Sequence, residues 1–253
     1  MPRALFSRLP AEPVTFPVIC DGESVAVRLR RNTQARRYTL RVHAATRDVV
    51  LTMPARGSLR EAKIFAQKHA AWIAARLSRL PQVAPFAHGT VLPLRGTPHR
   101  VEHRPRARGT VWIECGDDGA QILCVAGDAP HIARRLRDYL KREAKRDLDA
   151  ASRAAAQALG VGLARVSIRD QISRWGSCST TGVLSYSWRL ILAPSFVLEY
   201  LAAHEAAHLI EMNHSPRFWR LVEKICPDFR RAKAWLDAHG SDLHRYGAEA
   251  ESN

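Results

Sequence analysis

Residues 203–219 read AHEAAHLIEMNHSPRFW, and the first part of that stretch, His204-Glu205-Ala206-Ala207-His208, is an H-E-x-x-H arrangement. Histidines four apart stand one above the other on a single helical face, so both imidazoles can reach one zinc ion at roughly 2.0 to 2.1 Å. Glu205 lies about 100° further round the helix, placed to hold the metal's water rather than to ligate. A catalytic zinc takes three protein ligands and keeps one position open, so a third donor is needed. His214 is the leading candidate: histidines at relative positions one, five and eleven have the spacing of H-E-x-x-H-x-x-G-x-x-H. Glu211 occupies the glycine position of that pattern and is the rival ligand. The turn must then be made otherwise, by Asn213 in a left-handed conformation followed by Ser215-Pro216 as cap and first turn of a new helix. With 11 histidines in the chain, H-E-x-x-H would arise by chance about once in fifty such sequences, and with the third histidine about once in a thousand, so chance is a poor account of the pattern.

Composition bounds the alternatives. The chain has 253 residues, 46% hydrophobic and 25% charged, the make-up of an ordinary globular protein with material for one large or two modest domains. No run of 18 apolar residues exists and the N-terminus carries no apolar core of signal-peptide length, which argues for a cytoplasmic protein with no membrane partner. Cys20, Cys115, Cys124, Cys178 and Cys226 form no C-x-x-C, which argues against a cysteine zinc site and for free thiols. The net charge of +15 is uneven. Residues 1–110 hold 20 Lys and Arg against 6 Asp and Glu, whereas the remainder is nearly balanced. That asymmetry is the footprint of a polyanion such as DNA, or else of an arginine-rich composition serving solubility.

In chain order, residues 1–17 are proline-rich and aperiodic, a flexible leader. Residues 24–52 alternate (Val25, Val27, Leu29; Tyr38, Leu40, Val42; Val49, Leu51), which predicts short antiparallel strands. Ser58 and Glu61 form a capping box opening a helix over 58–80, with Ile64, Phe65, Trp72, Ile73 and Leu77 as its apolar stripe and Trp72 expected in the core rather than as a base-stacking platform. Strands over 90–101 and 110–125 complete a basic, β-rich module spanning 18–126. A linking helix follows over 127–160, capped by Asp128 and closed by Gly160, with Ile132, Leu136, Tyr139, Leu140, Leu148, Ala151 and Ala155 inward. Residues 161–246 form the catalytic part: a strand over 166–170, a loop over 174–182, a strand over 183–192, the zinc helix, and helices over 215–226 and 228–239. Residues 247–253 are a disordered tail.

Beyond H-E-x-x-H, the chain carries Arg174-Trp175-Gly176-Ser177-Cys178, Trp188-Arg189-Leu190 with Ala193-Pro194, the 203–219 stretch, Cys226-Pro227-Asp228 and Trp235-Leu236, in that order. In this it resembles the YgjP-like zinc metallopeptidases, related to the SprT and WLM groups of minigluzincin-type proteases, over nearly the whole chain. The resemblance implies an α+β fold ending in a zincin-like minigluzincin domain, and one zinc held by His204, His208 and His214 with Glu205 as base. Ser187 stands where the family usually has Asn, and Ala206 where Leu is commoner. The resemblance also implies an extended peptide pairing with the strand before the zinc helix, here 183–190.

The expected activity is hydrolysis of a peptide bond by zinc-bound water that Glu205 deprotonates. Arg174, Tyr186, Tyr200 and Asn213 are the candidates for stabilising the transition state or contacting substrate. Trp175 and Trp219 read as packing, and Cys178 as a buried structural thiol. Two other classes compete: a metal-dependent nucleotide phosphohydrolase, against which stands the lack of a P-loop, and a nucleic-acid-binding protein with a structural zinc, against which stands the free Glu205.

Overall fold

The computed structural model describes residues 15–43, 47–80 and 82–247. The chain divides into two compact units, Met1–Pro81 and Gln82–Asn253, rather than at the end of the expected 18–126 module. The fold is α+β, as expected.

The first unit is a four-stranded sheet covered by two helices. Its strands are β1 (Thr15–Cys20), β2 (Glu23–Asn32), β3 (Thr39–Val42) and β4 (Val49–Pro54), in the order β1-β2-β4-β3. Asp21 and Gly22, with φ of 49° and 87°, form the two-residue turn that lets β2 fold back on β1, because both central positions need the left-handed region. The strands are not all antiparallel, since β2 pairs with β4 in parallel and only the β1–β2 and β3–β4 pairs are antiparallel. Alternation fixes which side chains face inward but not which strand lies alongside, so this pairing could not be read from it. The first strand begins inside the expected leader: Phe16, Val18 and Cys20 alternate inward, and Pro17 is tolerated because β1 is an edge strand. The rest of that leader, 1–14, lies outside the described residues.

The expected 58–80 helix is two, α1 (Leu59–Lys68) and α2 (Ala70–Ser78), interrupted at His69. The capping box is formed, with the Ser58 hydroxyl accepting from the Glu61 amide and the Glu61 carboxylate accepting from the Ser58 amide, each at 3.2 Å. The break at His69 resets the helical phase, so Ile73 is buried while Ile64 and Trp72 are exposed, contrary to the expected core position of Trp72. Ala62, Ala66 and Ile73 close the core over Phe16, Val18, Val27, Leu51 and Met53.

The second unit repeats the plan. Strands β5 (Val91–Leu94), β6 (Thr97–Arg104), β7 (Val111–Cys115) and β8 (Gln121–Ala126) lie in the order β5-β6-β8-β7, with the same senses of pairing. Again a two-residue turn of positive φ, Arg95 at 53° and Gly96 at 80°, joins the first two strands. Leu92, Leu94, Val101, Leu123 and Val125 of this sheet share one core with the long helix and with residues up to Leu243, which is why it belongs here and not with the first sheet.

That helix, α3 (Ile132–Leu159), follows a 3-10 turn over Ala129–His131 and ends at Gly160 in the left-handed conformation. Asp128 precedes the 3-10 turn and makes no side-chain cap bond, so it does not cap α3 itself. The buried positions are Ile132, Leu136, Leu140, Ala144, Leu148, Ser152 and Ala156, every fourth residue. At 3.6 residues per turn a four-residue step advances about 40°, so the buried face winds round the helix. Arg135 accordingly reaches the end of β8, donating to the Ala126 carbonyl, whereas Lys145 reaches the Val166 carbonyl at 2.8 Å and Ser152 meets Tyr186 at 3.0 Å. The helix is thus a spine inside the second unit, joining its two sheets, rather than a link between modules.

The third sheet contains β9 (Arg165–Arg169), β10 (Gly176–Cys178) and β11 (Val183–Ser187) in the order β10-β11-β9. Two expectations fail here. Residues 174–182 are not all loop, and β11 is the central strand, antiparallel to β10 and parallel to β9, so it has no free edge for substrate. The strand expected to reach Leu192 stops at Ser187, whose hydroxyl accepts from the Arg189 amide at 3.4 Å and starts a 3-10 turn over Trp188–Leu192. Helices α4 (Ser195–Ala207), α5 (Pro216–Ile225) and α6 (Phe229–His239) and a 3-10 turn over Gly240–Arg245 complete the unit. Of the expected tail, Gly247 is described and 248–253 lie outside. No described helix is long and apolar enough to cross a membrane.

Candidate metal centre

Helix α4 is buried on nearly every side, with Val197, Leu198, Tyr200, Leu201, Ala202, Ala203, Ala206 and Ala207 in the core. Such a helix can hold polar side chains only where they meet partners, and it presents His204, Glu205 and His208 together. It ends at Ala207, with His208 as its cap. Bonds from the Leu209 amide to the Ala206 carbonyl and from the Ile210 amide to the Ala207 carbonyl then tighten the last turn, at 3.0 and 3.1 Å. Asn213 is not left-handed, as none of the positive-φ residues is Asn213. Instead its carbonyl accepts from the Ser215 amide at 2.8 Å, and the Ser215 hydroxyl caps α5 by accepting from the Phe218 amide at 3.3 Å, with Pro216 in the first turn. This brings His214 back over α4.

The ligand atoms of His204, His208 and His214 all lie within 4.8 Å of one another. The Nε2 atoms of His204 and His214 are 3.1 Å apart. The His208 Nδ1 lies 3.0 Å from the Glu211 carbonyl, a bond that fixes its tautomer and leaves Nε2 to ligate. Glu211 thus serves through its backbone, and the three-residue cluster does not include its carboxylate. Three imidazoles with an exposed third member suit a zinc that keeps one open position. Phe218 is wholly buried beneath them, its ring 4.9, 4.4 and 4.8 Å from those of His204, His208 and His214. Trp219 supports His214 at 5.9 Å and stacks on Phe229 at 5.4 Å. Nothing in the spacing of Phe218 marks it in the sequence as the floor of the site.

Glu205 is 4% exposed and lies against Gly176, where a Cβ would stand 2.8 Å from its carboxyl carbon. Burial pushes this carboxyl up to about 8, with the Arg174 guanidinium pulling the other way. Burial also pushes the His204 ring down to about 3, helped by its two neighbouring imidazoles. Arg174 is exposed just before β10. Tyr200, one turn before His204, is buried with its ring edge-on to that imidazole at 5.8 Å. Burial and the charge of Asp237 push its hydroxyl up to about 12. Tyr186 does not join the site: it is wholly buried on β11 with its hydroxyl on Ser152 of α3. Asn213 is exposed and contributes a backbone carbonyl. Cys178 is half-buried rather than buried, and burial raises its thiol to about 11, which makes it a poor thiolate.

Two pockets flank the metal residues. One, of about 290 Å³, is lined by Trp175, Gly176, Tyr200, Glu205, Lys233 and Asp237 among others. The other, of about 460 Å³, is lined by Ser179, His208, Leu209 and Met212 among others. Edge strand β10 runs from the first to the second, since Gly176 lines one and Ser179, just beyond its end, lines the other. Lys233 and Asp237 on α6 were not foreseen, because the motif on that helix, Trp235-Leu236, includes neither of them.

An α+β unit with a histidine triad and a buried carboxylate beside an open cleft defines a metallopeptidase. The family model of the YgjP-like metallopeptidase domain matches residues 36–239, and the chain belongs to that family. It requires a metal and acts on polypeptides. No curated protein matches the chain. Among solved structures, the metallopeptidase zymogen abylysin of Pyrococcus abyssi matches at 28% identity with a TM-score of 0.34, covering 39% of this chain and 97% of that one.

Proposed function

We propose that the protein hydrolyses peptide bonds by attack of water, with one zinc per chain held by His204, His208 and His214 and with Glu205 as general base. The observation that carries this reading is the convergence of three imidazoles within 4.8 Å beside a carboxylate that is buried yet lines a pocket. Zinc, when bound, supplies a Lewis acid that polarises the scissile carbonyl and makes water easier to deprotonate. Glu205 takes a proton from the attacking water and returns it to the leaving nitrogen. Gly176, having no side chain, leaves the carboxylate room to turn between these two positions. The edge strand β10 offers a substrate its unpaired backbone in place of β11, and the flanking pockets receive side chains on either side of the cleaved bond. Of the expected candidates, Tyr200 lines the pocket with Glu205 and Arg174 acts electrostatically on that carboxyl, and Lys233 lines the pocket as well, so these are the groups placed to act on charge developing there; Tyr186 is withdrawn from this role by its burial. A reducing compartment, as in the cytoplasm, is supported by five cysteines that are all free.

Metal content and hydrolysis of an unfolded protein, with nucleoside triphosphates assayed in parallel, test the reading. Glu205→Gln is expected to retain one zinc per chain and to lose about 10²- to 10⁴-fold in peptide hydrolysis. A variant that cleaves as fast as the parent would falsify the role of Glu205. Parent protein that hydrolyses triphosphates but no peptide would instead establish the phosphohydrolase reading.

A further inference from the structure

The metal residues, both flanking pockets and β10 all lie in the second unit, and none of the site residues named above lies in the first. That unit carries an unusual residue. Trp72 on α2 is 47% exposed and has no ring partner among the described residues, because the neighbouring Ile73 takes the buried position. Single exposed apolar side chains are common, but an indole on the wall of a positively charged concavity offers a flat face on which a ligand ring can stack.

Its surroundings say what would bind. Arg76 and Arg79 follow at four and seven residues, on the same side of the helix and its end, and β3 contributes Arg41 between Leu40 and Val42. These residues with Ala75 line a concavity of about 400 Å³, and no carboxylate of the described residues is among its lining. Arg41, Arg76 and Arg79 are exposed and make no ion pair among the described residues. Across residues 15–80 there are 13 Lys and Arg against 4 Asp and Glu, so the whole unit is strongly positive. Of the four acids, Glu61 is taken up by Tyr38 and the Ser58 cap, so it does not offset this patch.

An aromatic face bounded by three unpaired guanidinium groups matches a base stacked between phosphates. In a duplex the base faces are already covered by their neighbours, so the indole needs an unpaired strand. We infer that the surface formed by Trp72, Arg41, Arg76 and Arg79 binds single-stranded nucleic acid, the base on the indole and the backbone on the arginines. An acidic peptide would use the cations but would gain little from the indole, and this separates the two. The inference goes beyond the peptidase reading and does not rest on it, since binding is measured without hydrolysis.

The test is fluorescence anisotropy of a dye-labelled oligothymidylate with the full zinc-loaded chain, across a salt series. A duplex and polyglutamate serve as competitors, and circular dichroism checks each variant. The single strand is expected to bind more tightly than either competitor. Trp72→Ala should weaken it about 10-fold or more with the salt slope unchanged, while Trp72→Phe, which keeps a stacking face, stays close to the parent. Replacing Arg41, Arg76 and Arg79 together by Ala should make the log–log salt slope shallower by about 2. The inference is overturned if the parent does not bind the strand, if Trp72→Ala binds like the parent, if Trp72→Phe fails as badly as Trp72→Ala, or if polyglutamate competes as well as the strand.

Discussion

Gly176 bears on the proposed catalysis through what it lacks. Any side chain there would overlap the Glu205 carboxylate, which has nowhere to retreat because α4 is buried around it. Gly176→Ala is therefore expected to keep its zinc and lose about 100-fold in kcat/KM, since a displacement on the order of 1 Å of a catalytic group costs that much. Metal analysis beside steady-state kinetics checks it; unchanged kinetics would mean the carboxylate has room to move. Tyr186 gives the opposite case. Among the described residues its hydroxyl has only Ser152 as partner, at 3.0 Å, so Tyr186→Phe should cost about 1 kcal/mol of stability and leave kcat/KM unaltered, read by urea unfolding and by peptide hydrolysis. At this scale the sequence told which imidazoles converge, because the spacing of His204, His208 and His214 sets their faces. It did not tell that Tyr186 points at α3, since a tyrosine on a strand looks the same from either side of the sheet.

The helices and strands were legible wherever a local signal defined them. Ser58 with Glu61, Ser215 with Pro216, and Gly160 each mark a helix end by chemistry confined to a few residues, and each stands where expected. What depends on neighbours distant in sequence was not legible: the parallel pairing of β2 with β4, the central place of β11, and the exposure of Trp72 after the break at His69. The spine helix shows the same division. Its apolar residues were readable, but the rotation of its buried face from β8 to β11 follows from strict four-residue spacing and appears only once both sheets are in place. Leu140 sits midway along that face, wholly buried, so Leu140→Ala should destabilise the second unit by about 3 kcal/mol. An unfolding transition moved by much less would mean that the helix can collapse onto the gap.

For the whole molecule, the two four-stranded sheets share strand order, pairing senses and a two-residue turn of positive φ, a repeat hidden at the level of sequence because only backbone geometry is kept. The repeated unit serves different ends: in one copy the helical layer closes a small basic body, in the other it continues into the metal-binding part. The second unit also carries a built-in sensitivity to acid. His244 is 6% exposed, and burial, reinforced by the nearby Arg189, pushes its ring down to about 4 against the weaker pull of Asp170. Between pH 6.5 and about 4 the unfolded chain takes up a proton that the folded protein refuses. Its contribution is therefore intact above pH 6.5 and lost on acidification through that window, about 3 kcal/mol in all. His244→Phe, which keeps a ring against Trp175, should flatten the dependence of the urea midpoint on pH over that range; a profile as steep as the parent's would place the sensitivity elsewhere.

The brevity of β10 has a further consequence. With substrate docked along it as proposed, its three residues give a guest only a few rungs to hold, too few to impose one alignment over another shifted along the chain. Cuts should then fall wherever a polypeptide can straighten and enter the cleft. Fragments with ragged, overlapping ends, and sparing of proteins whose chains are fully folded, are the digestion pattern that such a short ledge produces.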